Sequence, residues 1–290
     1  MKIYNLGSLN IDYVYSVDHI VKSKETISSD SLQIFAGGKG LNQSIALSRA
    51  GSNVIHGGII GKDGEFLKDV LQNENVDVSM VKILNNPTGH AIIQVDKVGQ
   101  NSILLYAGTN FAINREYVEE FLRDAEQGDF LLLQNEISSL NDVFEIAFDK
   151  KMQIVFNPSP FSKDIEKLPL EYVKWWFCNE IEAGELFGSD DVDTIAQNFL
   201  SKYPNSSLIL TLGESGSVFI NKDQVLKQEA YKTNVIDTTA AGDTYTGYFV
   251  DAITKKQTVK NAMQIASKAA SITVSREGAA NSIPRFNEIK

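Results

Sequence analysis

The sequence predicts an α/β fold built on a largely parallel sheet with helices on both faces, and it does so on two grounds. Apolar runs of four to six residues alternate along the chain with stretches whose apolar residues recur at helical spacing, the pattern of repeated βαβ units. Residues 13–35 and 90–106 break that rhythm with alternating, partly polar runs such as Ala91-Ile92-Ile93-Gln94-Val95 and Ser102-Ile103-Leu104-Leu105-Tyr106. These read as antiparallel strands outside the main sheet, a small appendage serving as a lid or a dimer surface. With 290 residues and no low-complexity tract, internal repeat or obvious linker, the chain reads as one α/β domain carrying this appendage.

The elements follow in order. Ile3–Leu6 is a short apolar strand ended by Gly7. Residues 41–50 place Leu41, Ile45 and Ala46 at helical spacing, with Gly51 as the C-terminal cap. Residues 130–133 form a buried-strand run, and residues 140–148 carry Val143, Phe144, Ala147 and Phe148 on one helical face. A strand at 153–156 stops at Asn157-Pro158, another spans 175–178, and the helix Glu180–Phe187 is closed by Gly188. The strand at 208–212 turns through Gly213-Glu214-Ser215-Gly216 into Ser217–Ile220. A β-like run at 234–236 precedes two helices, at 243–254 and 259–274.

Composition narrows the function. The 27 Lys and Arg against 37 Asp and Glu leave a formal charge of −10, which disfavours nucleic acid and anionic membrane surfaces as partners. One cysteine, Cys178, makes no intrachain disulfide and suits a reducing compartment. The three histidines, His19, His56 and His90, do not lie at helical ligand spacing from one another. No apolar run approaches the ~20 residues of a spanning helix, and the first residues lack the apolar core of a secretion signal. The expectation is a cytoplasmic protein that handles small molecules.

The most informative stretch is Asp237-Thr238-Thr239-Ala240-Ala241-Gly242-Asp243-Thr244-Tyr245, which opens an amphipathic helix. Ala240, Ala241 and Gly242 are small enough for a ligand to approach the backbone, and amides at a helix start favour an anion. Asp243 beside them is placed to take a proton from a hydroxyl nucleophile. An isolated Gly-Asp would be read as an N-cap, but this nine-residue context favours the functional reading. Gly37-Gly38-Lys39-Gly40-Leu41-Asn42-Gln43 matches neither a Walker A loop nor GxGxxG. It is equally a flexible turn or a backbone that packs on a polar ligand, with Asn42 turned to hydroxyls.

Asn10 and Asp12 follow the first strand, at the carboxyl edge where open α/β sheets hold ligands, and Glu136 is a similar strand-end carboxylate. A carboxylate accepts two hydroxyl protons, which suits a vicinal diol; a polar strand exit is the commoner explanation for either residue alone. Asn179 and Glu182, three apart, share one face of a helix start, and they also match a capping box. The turn from Thr211 through Gly213 to Gly216 cradles a nucleotide or closes a hairpin.

Taken together, in this order and at these intervals, the segments from Asn10 to Pro284 resemble the ribokinase-like (PfkB) family of carbohydrate and nucleoside kinases. Arg276-Glu277-Gly278-Ala279, with Ser282 and Pro284, adds to the resemblance. It implies a three-layer α/β/α sandwich with a β-sheet lid, and ATP-dependent phosphorylation of a primary hydroxyl, in the first instance D-ribose to ribose 5-phosphate. A nucleoside or another sugar is the alternative substrate, and a non-catalytic binding protein the alternative class. By resemblance, Asp243 is the base and Ala240, Ala241 and Gly242 the anion hole. Asn10, Asp12, Gly38, Lys39, Asn42 and Glu136 hold the sugar. Asn179, Thr211, Gly213, Gly216, Gly242 and Ser267 meet ATP, and Glu182 organises Mg2+ indirectly. Asp237, Thr239, Thr273, Arg276, Gly278 and Ser282 surround K+, several through carbonyls. A homodimer through the lid is also implied. Leu41 departs from the pattern, being larger than the residue the family usually carries at the sugar-facing turn.

Overall fold

The computed structural model describes residues 1–289. Its strands are β1 (Ile3–Leu6), β2 (Asn10–Ser16), β3 (Ser31–Gly37), β4 (Val54–Gly61), β5 (Asp77–Leu84), β6 (Gly89–Val95), β7 (Asn101–Tyr106), β8 (Phe130–Gln134), β9 (Gln153–Asn157), β10 (Trp175–Asn179), β11 (Ser207–Thr211), β12 (Ser217–Ile220) and β13 (Val225–Gln228). Its α-helices are α1 (Lys39–Ala50), α2 (Glu65–Asn73), α3 (Arg115–Phe121), α4 (Leu140–Asp149), α5 (Glu180–Phe187), α6 (Val192–Lys202), α7 (Ala241–Thr254) and α8 (Val259–Thr273).

Nine strands form the main sheet in the order β13-β12-β11-β10-β9-β8-β1-β4-β5. From β11 to β5 every pairing is parallel, while β12 and β13 add an antiparallel edge. Alternation along β8 shows why helices must cover both faces. Leu131 and Leu133 enter one apolar cluster with Val118, Phe144 and Phe199 from α3, α4 and α6. Phe130 and Leu132 enter another with Ile45, Phe249 and Ala266 from α1, α7 and α8. Successive strand side chains point to opposite faces, so each face needs its own helical layer. The three-layer sandwich follows.

The second sheet has the order β3-β2-β6-β7. Two of its joins are antiparallel, but β2 and β6 pair in parallel, from Asn10 opposite Gly89 to Ser16 opposite Val95. That corrects the all-antiparallel expectation; the chain between them runs through β3, α1, β4, α2 and β5, which lets it return in the same direction. Its strands begin at Asn10, and residues 17–30 carry none.

Two further differences matter for the site. Residues 234–236 form no strand; instead the Ile236 and Asp237 amides donate to the Val274 carbonyl at 2.8 and 3.2 Å, tying this segment to the end of α8. The helix expected from residue 243 starts at Ala241, with Ala240 as its N-cap in the left-handed region at φ 60°. Asp243 is therefore in the third helical position and is not an N-cap.

Candidate active site

The carboxyl edge of the parallel strands opens into a cavity of about 210 Å³ whose lining includes Lys39, Asn179, Glu182, Thr211, Ala240, Ala241, Gly242 and Asp243. Three helices start here, α1, α5 and α7. At α7 no side chain caps the first turn. The Ala241 amide reaches back to the Thr238 carbonyl at 3.3 Å, and the first intrahelical bond runs from the Thr244 amide to the Ala240 carbonyl. The amides of Gly242 and Asp243 therefore belong to the open turn, where the helix dipole favours negative charge. At α1 the N-cap is Gly38 with φ 97°, and a Cβ there would crowd the Ser8 carbonyl at 2.9 Å, so glycine alone fits the turn.

Asp243 is buried, and each of its oxygens takes one amide N–H from α1: Asn42 Nδ2 donates to Oδ2 at 3.1 Å and Gln43 Nε2 to Oδ1 at 2.9 Å. Charge-assisted bonds to both oxygens fix the carboxylate's plane. Gln43 was within a motif singled out from sequence, but only the structure shows that it touches Asp243.

Around this carboxylate stand the polar groups expected for a sugar. Glu136 accepts the Lys39 amide at 3.1 Å and the Ser8 hydroxyl, so it closes the N-terminus of α1. Burial pushes its carboxyl up, against the pull of Lys39. Asp12 is pushed up to about 7 by burial and by the nearby Glu136 charge. Burial opposes the charge of the Lys39 ammonium, but Asp243, Glu136 and Glu182 together outweigh it and its pKa rises. Asn10 Oδ1 accepts from Asn110 Nδ2 at 2.7 Å, and Asn110 Oδ1 accepts the Leu9 amide at 3.0 Å. Asn110, in a short helical turn, carried no sequence signal. Asn42 Oδ1 is buried without a partner, an acceptor suited to a ligand hydroxyl. Leu41 does not face this site; it is fully buried in the core beneath α1.

On the nucleotide side, Asn179 and Glu182 form the capping box: Asn179 Oδ1 accepts the Glu182 amide at 2.8 Å and Glu182 Oε2 accepts the Asn179 amide at 3.1 Å. Both also line the cavity. Thr211 lines the cavity as well, whereas Gly213 and Gly216 shape the turn beyond it, both with positive φ. Ser267 stands away from the lining, its hydroxyl beside that of Tyr245, which also meets Ser217 Oγ at 2.8 Å.

The residues expected around K+ gather only in part. Asp237 accepts the Thr239 amide at 2.9 Å, the Thr239 hydroxyl at 2.6 Å and the Gly278 amide at 2.9 Å. These bonds overcome burial and hold its carboxyl below the usual range. The Thr273 hydroxyl is committed to Thr244 and the Ala269 carbonyl, Ser282 Oγ to the Ala279 carbonyl, and the Arg276 guanidinium pairs with Glu288. The two hydroxyl oxygens keep lone pairs for a cation, whereas Arg276 has only its backbone carbonyl to offer. Hard oxygen donors around Asp237 and Gly278 fit an alkali cation. Among the described residues no cluster of three His, Cys, Asp or Glu side chains comes together to hold a metal.

A buried carboxylate beside an open helix N-terminus, at the carboxyl edge of a doubly covered parallel sheet, is an arrangement suited to phosphoryl transfer to a small polar substrate. The chain belongs to the pfkB family of carbohydrate kinases, whose model matches residues 2–285. It is 35% identical to the ribokinase of Staphylococcus aureus, over 99% of this chain and 98% of that protein. The crystal structure of ribokinase from Cryptococcus neoformans in complex with ADP superposes with a TM-score of 0.86 at 34% identity, covering 99% and 98% of the two chains. Arabidopsis thaliana ribokinase complexed with ribose and ATP gives 0.89 at 27% identity, covering 99% and 97%.

Proposed function

We propose that this chain is an ATP-dependent ribose kinase, moving the γ-phosphoryl group to the primary hydroxyl of D-ribose to give ribose 5-phosphate and ADP. The observation that carries this reading is Asp243: buried, braced on both oxygens and adjoining the open amides of α7. Ribokinases among its relatives, one solved with ribose and ATP, support the choice of substrate.

Asn10, Asp12, Asn42, Glu136 and Lys39 would hold the sugar so that its primary hydroxyl meets Asp243, which takes the proton as the new bond forms. Of the Ala240, Ala241 and Gly242 anion hole, the open Gly242 amide, joined by that of Asp243, would receive the charge that spreads over the moving phosphoryl group, while the Ala241 amide is turned to the Thr238 carbonyl at 3.3 Å. Asn179 and Thr211 would position the nucleotide. Mg2+ bound with the phosphates would neutralise their charge, and Glu182 would organise it indirectly. K+ would sit between the Asp237 segment and the 276–282 loop, ordering the start of α7.

The second sheet would close over the sugar and exclude water. Its exposed apolar side chains, among them Ile34, Ile103, Leu104 and Leu105, support a homodimer through this sheet, read by sedimentation equilibrium. No helix among the described residues is long and apolar enough to cross a membrane, and the free, buried Cys178 fits a reducing cytoplasm.

A coupled ADP assay across sugars and nucleosides tests the substrate; turnover of a nucleoside with none of ribose would replace it. Asp243→Asn is expected to lower kcat by at least ~10²-fold while ribose still binds. Unchanged turnover would remove Asp243 from the mechanism.

A further inference from the structure

Behind Asp243 lies a line of buried amides that the mechanism above does not use. Gln43 Oε1 accepts from Gln134 Nε2 at 2.7 Å, and the same Nε2 donates to Asn5 Oδ1 at 3.0 Å. Asn5 Nδ2 in turn donates to the Gly40 carbonyl and to Ser44 Oγ, both at 2.8 Å. Asn5, Gln43, Ser44 and Gln134 are wholly buried. They come from β1, β8 and α1, which meet just beneath the cleft.

The chemistry of these partners dictates which way each amide points. A backbone carbonyl can only accept, so Asn5 must turn its NH2 to Gly40 and its oxygen to Gln134. That oxygen needs a donor, so Gln134 must present its NH2. Gln43 must then offer its oxygen to Gln134, which leaves its own NH2 facing Asp243. A carbonyl at the start of α1 thus sets, through three amides, a donor against the carboxylate, and Asn157, its NH2 given to the Phe177 carbonyl, turns its oxygen to the same Gln43 NH2 at 3.4 Å. Gln134 Oε1 packs against Gly7 with no hydrogen-bond partner. A buried acceptor is rarely left unpaired, and here the orphan follows from keeping both N–H contacts.

We infer that Gln134 is a positioning residue for phosphoryl transfer: it fixes the orientation of Gln43 and, through it, the plane of the Asp243 carboxylate. Without Gln134, the Gln43 oxygen loses its donor, and its NH2 is held only by Asp243 and by the longer bond to Asn157 Oδ1 at 3.4 Å, so the side chain is less restrained from turning its oxygen toward Asp243. The inference rests on the reading of Asp243 as the base.

The test is a double-mutant cycle with Gln43→Met and Gln134→Met, which retain length and lose the polar ends. Each is expected to lower kcat on the order of 10-fold, as a small displacement of a reacting group does, with KM for ribose and ATP within about 2-fold of wild type. The double variant is expected to lose no more than the worse single, because both act on one link. Losses that multiply, or an equal rise in KM without a fall in kcat, would overturn the relay. Thermal melting checks that each variant folds.

A measurement that needs neither Met variant is the side-chain NH2 resonance of Gln134, compared between wild type and Asp243→Asn. It is expected to shift although the two residues share no bond, and a stationary resonance would count against the relay. An active Asp243→Asn enzyme defeats the base assignment itself. An inactive one beside a fully active Gln134→Met defeats only the relay.

Discussion

Gly247 of α7 lies so close to Ala46 of α1 that a Cβ on the glycine would stand 2.5 Å from the Ala46 Cβ and 2.9 Å from the Leu47 nitrogen. One turn earlier on each helix, Asp243 meets Asn42 and Gln43. The two helices therefore run side by side in the same direction, and the contact at Gly247 sets the spacing at the carboxylate. Gly247→Ala should gain about 1 kcal/mol of helix propensity and lose more, about 1–3 kcal/mol, from overpacking against backbone. A net fall in melting temperature with reduced kcat is expected; a variant that melts at or above wild type with full turnover would contradict this.

On the proposed function, Asp12 should give sugar binding a pH response. Its carboxyl is pushed up to about 7 by burial and by Glu136, and only the ionised form accepts two hydroxyls. Affinity for ribose should rise between roughly pH 6 and 8 and then level off. Because the folded chain keeps this proton longer than the unfolded chain, Asp12 also makes stability decline as pH climbs from about 4 toward 7. Calorimetric titrations across this range check the first slope and denaturant melts the second; Asp12→Asn should flatten the contribution of this group to both.

Asp237 joins the segment before α7 to the Gly278 loop. Asp237→Ala should weaken activation by K+ on the order of 10-fold, the usual effect of disturbing a cation's supporting groups. Initial rates in potassium, sodium and tetramethylammonium chloride provide the measurement. Equal rates in all three would dismiss the cation.

Arg49 ties α1 to the C-terminal segment. Its guanidinium pairs with Glu74 at 2.7 Å and donates to the carbonyls of Ala280, at 3.0 Å, and Ile283. Hydrogen bonding from Arg49 outweighs burial and holds the Glu74 carboxyl below its usual range, so its contribution to stability is present above that range and is lost as pH falls through the depressed value. Arg49→Met should cost about 3 kcal/mol at neutral pH, tempered by Arg285, which reaches Glu74 at 3.1 Å. Urea titrations at neutral and acid pH check both the loss and its decline in acid.

The sequence displayed the central strands because their apolar runs are short and sharply ended, as at Ile3–Leu6 and Phe130–Gln134. It concealed β4, where His56, Gly57 and Gly58 interrupt the run, and β5, an edge strand with a largely exposed pattern. Asp243 and its flanking small residues were visible as a local motif. Asn110 and Gln134 were not, because their meaning lies in partners about a hundred residues away, Asn10 and Gln43. Asn5 and Gln134 did leave one trace: each is an amide in a strand that is otherwise apolar.

The line of amides behind the carboxylate has one more property. None of its members gains or loses a proton in ordinary buffers, and His56, which meets Ser44 at 2.8 Å at the far end, is kept neutral by burial, its pKa pushed down to about 3. The scaffold that aims Asp243 is thus chemically silent toward acidity. On the proposed function, a drift of one unit of pH would change how readily the sugar is captured at Asp12, while the aim of the reacting group stayed the same.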